Sequence, residues 1–167
     1  MRPPIPDPSR TPRRLPVKLA RRARIGVIRS EYHREMTERL RKKCVETLVR
    51  AGIPVANIDQ VAVPGCFEIP VAAQRLAASG RYDALIALGV IIRGDTHHFD
   101  LVANECARGA MQVSLQQHVP VIFEVLATYN RRDAACRSAN DSLNKGIEAA
   151  NTALSLLVTM SEIGNRK

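Results

Sequence analysis

Hydrophobic residues along the chain follow two spacings. Short runs rich in Ile, Val and Leu are typical of buried strands, and apolar residues that recur every fourth position, such as Met36, Leu40, Cys44 and Leu48, are typical of amphipathic helices. The predicted strands are Ile25–Arg29, Ile58–Val63, Ala84–Ile92 and Val119–Leu126. The predicted helices are Glu35–Arg50, Glu68–Ala78, His98–Gln117, Arg131–Ala139 and Lys145–Met160.

Regular alternation of strands and helices indicates βαβ units around a parallel sheet. Ala84–Ile92 has almost no polar residue, so this strand is expected at the centre, buried on both faces. Right-handed crossovers then predict an α/β fold, a flavodoxin-like three-layer α/β/α sandwich with a four-stranded parallel sheet. Ligands of such sheets bind beyond the carboxyl ends of the strands, so the residues that follow each strand are the candidates for a site.

Positive charge is concentrated at the beginning of the chain. The 167 residues fit one domain and carry a formal net charge of +9. Residues 1–24 contain eight basic side chains and one acid, or +7, which leaves only +2 for the rest. Six of the ten prolines also lie there. We therefore predict a basic, Pro-rich and disordered tail over residues 1–22 and a folded domain over residues 23–167.

Composition argues against several classes of protein. The chain has no apolar run long enough for a signal peptide or a membrane span, so we expect a cytoplasmic protein without a membrane partner; an organelle transit peptide is the weaker alternative. The four cysteines have neither a CxxC pair nor zinc-ligand spacing, and Cys44 and Cys106 are expected to be small core residues. Because the body is nearly neutral, a nucleic-acid partner is not expected.

A polar cluster, Arg93–Asp100, follows the most buried strand and opens a helix. Gly94 lets the backbone approach a ligand, and Asp95 and Thr96 at a helix start predict a phosphate seat. His98 can transfer protons near neutral pH. The alternative is a helix capped by Asp95 or Thr96, with solvated histidines.

The other strands are also followed by candidate site residues. Tyr32 follows the first strand in a chain with 4% aromatic residues, although it could equally cover the core. Pro64 and Gly65 predict a turn after the second strand, and Glu68 comes at a helix start, where a carboxylate also suits the helix dipole.

Four segments in this order resemble the lumazine synthase family, and the resemblance runs from about Ile25 to Met160. They are Pro64–Pro70 (PGCFEIP), Gly89–Asp100 (GVIIRGDTHHFD) continuing to Asn104-Glu105, Pro120–Phe123 (PVIF) and Asn144–Gly146 (NKG). The resemblance implies condensation of 5-amino-6-(D-ribitylamino)uracil with 3,4-dihydroxy-2-butanone 4-phosphate, with loss of phosphate and water. It implies neither a cofactor nor a metal.

The resemblance also implies a role for each matching residue. Tyr32 would stack on the pyrimidine, Asp95 and Thr96 would seat the phosphate, and His98 would transfer protons. The ring edge and ribityl chain would be held by Cys66, Phe67, Glu68, Val90, Ile91 and Ile92. A neighbouring subunit would supply Phe123 and Arg137, with Lys145 nearby, which implies a homo-oligomer of five subunits or a multiple of five.

Three positions depart from the family pattern. Tyr32 stands where Phe or Trp is usual, His33 where Asn is frequent, and Glu124 where Gly is common. One alternative is a non-catalytic flavin- or lumazine-binding protein on the same scaffold. The other is a nucleic-acid-binding protein that uses the basic tail.

Overall fold

Four parallel strands form one sheet in the computed structural model, which describes residues 14–164. The strands are β1 (Ile25–Ser30), β2 (Ile58–Val63), β3 (Ala84–Ile92) and β4 (Val121–Thr128). Their order is β2-β1-β3-β4, and every neighbouring pair is parallel. The most apolar strand, β3, is central and almost wholly buried, as predicted.

Helices cover both faces of the sheet. They are α1 (Val17–Arg22), α2 (Arg34–Arg50), α3 (Ile69–Ala77), α4 (His98–Gln117), α5 (Arg131–Arg137) and α6 (Lys145–Gly164), with 3-10 turns at Val55–Asn57 and Cys66–Glu68. Leu40 of α2 and Leu154 of α6 pack in the core on one face, and Ile69 of α3 and Cys106 of α4 pack on the other. The predicted α/β/α sandwich is therefore confirmed. None of the helices between residues 14 and 164 is long and apolar enough to cross a membrane.

The observed fourth strand is displaced by two residues from the prediction. It begins at Val121 rather than Val119 and continues to Thr128. Proline has no amide hydrogen to donate, so Pro120 contributes only its carbonyl, which accepts a bond from the Leu85 amide at 2.8 Å. The end of the strand is fixed by a bond from the Arg93 amide to the Thr128 carbonyl at 2.9 Å.

The prediction of a disordered tail is wrong for residues 17–22, which form α1. Leu15 and Ala20 are buried in the core, and this apolar burial offsets the entropy lost when the segment is ordered. The Asn57 side-chain amide donates to the carbonyls of Arg21 and Ala23 at 3.1 and 3.2 Å. The rest of the predicted tail, residues 1–13, lies outside the described residues.

Candidate active site

A cavity of about 780 Å³ opens at the carboxyl ends of β1, β2 and β3. Most of the predicted substrate-binding residues of a single subunit line it, although they come from three separate strand ends. Those that do are Tyr32, Cys66, Phe67, Glu68, Val90, Ile91, Ile92, Thr96 and His98. The fold thus brings together what the sequence placed at separate positions.

The turn after β1 carries Tyr32 to the rim of the cavity, where it is 70% exposed. The amides of Glu31 and Tyr32 donate to the carbonyls of Val63 and Pro64 at 2.8 and 3.1 Å, so the turn is fastened to the end of β2. An aromatic face that is exposed yet held by its backbone is suited to stacking on a planar ring.

His33 follows in a left-handed conformation, with φ 54° and ψ 44°. This conformation costs a non-glycine residue about 1–2 kcal/mol and favours small polar residues. The imidazole lines the cavity and lies edge-on to the Tyr32 ring, with 5.1 Å between ring centroids. Burial lowers the pKa of His33, and the positive charge of Arg131 lowers it further, so its neutral form is favoured.

The turn after β2 is closed by a carboxylate. The Gly65 amide donates to Oε2 of Glu68 at 2.8 Å, so this side chain shapes the turn in addition to lining the cavity. Cys66 is buried, with Sγ 3.5 Å from Oγ of Ser30. Burial raises the pKa of the Cys66 thiol, which keeps it protonated and unsuited to nucleophilic attack. A side chain at Gly89 would meet Sγ of Cys66 at 2.5 Å, so this close approach requires glycine.

The loop after β3 leads into the first turn of α4. The residue before the helix is His97, and no side chain caps the helix there, so the alternative of a helix capped by Asp95 or Thr96 is not observed. Thr96 and His98 line the cavity, whereas Asp95 is exposed and does not line it. An uncapped start of a 20-residue helix presents amide donors and the positive end of the helix dipole, which favours an anion.

One face of α4 completes the cavity with residues that the sequence analysis did not assign. These are Phe99, Leu101, Val102 and Glu105. His33 and Gly65 also line the cavity without having been predicted to do so, as does Gly94, where a close approach of the backbone to a ligand was expected. Positions 98, 101, 102 and 105 recur at helical spacing, so the face that carries His98 could have identified them.

The three residues predicted to come from a neighbouring subunit lie elsewhere. Phe123 is 39% exposed on the outer strand β4. Arg137 and Lys145, at the end of α5 and the start of α6, line a second cavity of about 450 Å³. Lys145 forms an ion pair with Glu148, and the Arg137 guanidinium donates to the Asp133 carbonyl at 3.1 Å. A single chain therefore does not bring these side chains to Tyr32 and His98.

Between residues 14 and 164, no three His, Cys, Asp or Glu side chains converge closely enough to hold a metal ion. Cys44 and Cys106 are buried, as predicted, and burial raises the pKa of each thiol to about 12.

Residues 22–161 match a family described as 6,7-dimethyl-8-ribityllumazine synthase. The chain belongs to this family. A curated relative, 6,7-dimethyl-8-ribityllumazine synthase 1 of Caulobacter vibrioides, is 41% identical over 140 residues, which cover 84% of this chain and 92% of the relative. The predicted family is confirmed, and both cavities lie within the matched residues.

Membership of the lumazine synthase family makes the chain an enzyme, a transferase of riboflavin biosynthesis. It gives no support to the alternative of a non-catalytic flavin-binding protein. The roles that the resemblance implies for individual side chains stay predictions.

Proposed function

We propose that this lumazine synthase condenses 5-amino-6-(D-ribitylamino)uracil with 3,4-dihydroxy-2-butanone 4-phosphate and releases phosphate and water. One observation carries the proposal. The exposed face of Tyr32, the His98 imidazole and the uncapped start of α4 all border one cavity, so a planar ring and a phosphate have adjacent seats.

The reaction asks for positioning and proton transfer rather than a nucleophile from the protein. The amine of the pyrimidine attacks the ketone of the phosphate ester, one water leaves as the imine forms, phosphate is eliminated, and the ring closes with loss of a second water. Each step moves a proton, which His98 at the cavity wall can donate or accept. The protonated Cys66 thiol fits the same mechanism, because a thiol in that form is a poor nucleophile.

The active site is completed by a neighbouring subunit in this proposal. A phosphate seated at the start of α4 requires a fixed cation, and guanidinium can bind it through two parallel hydrogen bonds. Arg137 is exposed and lies at the second cavity of its own chain, so a ring of five chains, or a multiple of five, would bring it to the first cavity of the next. Phe123 would cover the pyrimidine from the same neighbour, with Lys145 beside the phosphate.

Turnover tests the reaction directly. Both substrates are mixed with the purified protein, and the absorbance of the lumazine product is followed. The test variant is His98→Ala, and the control is His97→Ala, because His97 is an exposed neighbour that does not line the cavity. We expect His98→Ala alone to slow product formation. Absence of product above the spontaneous rate with the wild-type protein would reject the proposal.

Mixed oligomers test the shared site. The His98→Ala protein is mixed with the Arg137→Ala protein, and the two are allowed to exchange subunits. Some sites would then regain both wild-type side chains, so the mixture should be more active than either variant. A mixture no more active than its components, once exchange has been demonstrated, would rule out sharing. Light scattering that gave the mass of one chain would do the same.

A further inference from the structure

Arg29, at the carboxyl end of β1, is buried although it carries a charge. It is 7% exposed, and among residues 14–164 no other Arg, Lys, Asp or Glu is buried to this extent. Its side chain lies on the same face of the sheet as those of Ile25 and Val27, where α2 and α6 cover the core. A charge is rarely placed there unless specific partners compensate for the lost hydration.

The partners of Arg29 lie on the two sides of the turn between β1 and α2. The guanidinium donates to the carbonyl of Ser30 at 3.3 Å and to Oγ1 of Thr37 at 3.5 Å. It also lies 3.7 Å from a carboxylate oxygen of Glu31 and 3.4 Å from one of Glu38. These contacts bracket the turn on both sides.

Tyr32 and His33 lie in the turn, between the contact residues of Arg29 that precede it and those that follow it. His33 has the left-handed backbone described above, and its side chain makes no capping hydrogen bond to α2, so its conformation depends on what holds the surrounding turn. The amides of Glu31 and Tyr32 fasten the turn to β2 on one side. Arg29 contacts the turn from the face of the sheet that α2 covers, and its bond to Thr37 connects the turn to the first turn of α2.

Neutralisation of the two carboxylates does not explain the burial of Arg29. The side chains of Glu31 and Glu38 are 50% and 45% exposed, so water solvates both. Glu38 also pairs with Arg41, whose Nε lies 2.9 Å from it, and that hydrogen bond is the main reason that the pKa of Glu38 is lowered. Only the guanidinium loses its hydration in this arrangement. The contacts of Arg29 therefore indicate that it stabilises the turn.

We propose that Arg29 is a positioning residue for the pyrimidine substrate, which holds the turn so that Tyr32 and His33 keep their places on the wall of the cavity. This inference rests on the proposed function, because it takes Tyr32 as the residue that stacks on the pyrimidine ring. Arg29 does not line the cavity, so it acts through these two residues.

The test compares two arginines of the same strand region. Arg29→Met removes the buried guanidinium, and the control Arg24→Met removes a guanidinium at the opposite end of β1, where Arg24 pairs with Asp59 at 3.4 Å. Binding of the ribityl pyrimidine is measured by calorimetry on the assembled protein well below its melting temperature. We expect the Kd to rise about threefold for Arg29→Met only, which is less than the loss expected for Tyr32→Ala and within the range of coupling between contacting groups. The KM for the butanone phosphate should stay unchanged.

Two further variants separate positioning from general stability. In a Tyr32→Ala background, Arg29→Met should cause much less additional loss of binding, since the residue through which Arg29 acts has already gone. Arg29→Lys should restore part of the affinity, because the charge remains but the fork of donors is lost.

Either of two results would overturn the inference: a Kd for Arg29→Met equal to that of the wild type, or a loss of the same size in the Tyr32→Ala background. If Arg29→Met does not assemble, Thr37→Val removes one of its partners and is measured in the same way, with an unchanged Kd counting against the inference. Failure of the wild-type protein to bind the pyrimidine or form lumazine would instead reject the proposed function.

Discussion

Glu124 is a half-buried carboxyl group on β4 whose titration should affect the stability of the protein. Its side chain lies on the face of the sheet that α2 and α6 cover, where the resemblance leads one to expect glycine. Burial, together with the negative charge of Glu148, raises the pKa of Glu124 to about 7, although the positive charge of Lys145 opposes both effects. The folded state therefore holds this proton more tightly than the unfolded chain does.

The sign and size of the effect follow from linkage. The ordinary pKa is 4.5, so the rise to about 7 corresponds to about 3 kcal/mol of destabilisation once Glu124 is ionised. This cost is absent below about pH 4.5, grows as the pH rises towards 7, and is complete above that value. Glu124→Gln keeps the shape but removes the charge. We expect it to raise the free energy of unfolding by up to about 3 kcal/mol at pH 8, and by much less at pH 5.

Denaturant unfolding at several pH values measures this difference. Protein concentration is kept constant, because assembly contributes to the apparent stability. Glu35→Gln is the control, since Glu35 is an exposed carboxylate in an i,i+4 pair with Arg39. Its effect should be small and nearly independent of pH. Should Glu124→Gln stabilise the protein equally at pH 5 and pH 8, or not at all, the pKa of Glu124 would not be raised in the folded state and the reasoning would be refuted.

Four further predictions concern the site and the beginning of the chain. Tyr32→Ala should weaken binding of the ribityl pyrimidine by about 1 kcal/mol through lost stacking, and an unchanged calorimetric Kd would remove Tyr32 from the site. His98→Ala should lower kcat by about 10²-fold while substrate binding persists, and a pH–rate profile identical to that of the wild type would leave it no role in proton transfer. Arg137→Ala should raise the KM for the butanone phosphate, with partial recovery in Arg137→Lys; equal KM values in all three proteins would contradict the phosphate assignment. Deletion of residues 1–13 should leave turnover unchanged, whereas deletion of residues 1–22 should lower the melting temperature because it removes buried apolar side chains, and equal melting temperatures would refute this.

The alternation of strands and helices was readable in the sequence because it depends on local patterns. Ala84–Ile92 is apolar at nearly every position, and a strand of that kind is stable only between two layers of helix. The location of the candidate site was also readable, since Tyr32 and the loop that leads to His98 follow strand ends that a parallel sheet places along one edge. The predicted order of elements and the family were both confirmed.

Tertiary contacts decided what local patterns could not. Leu15 and Ala20 belong to a segment whose prolines and charges predicted disorder, and they are ordered only because the core accepts their side chains. The displacement of β4 by two residues depends on pairing with Leu85, which is distant in sequence. Arg29 gave no signal of its own, because the burial of one guanidinium under a turn depends on where α2 packs. The sequence thus determined which side chains are present at each strand end. Packing determined which of them are buried, which are exposed and which line separate cavities, because burial depends on contacts between residues that are distant in the sequence.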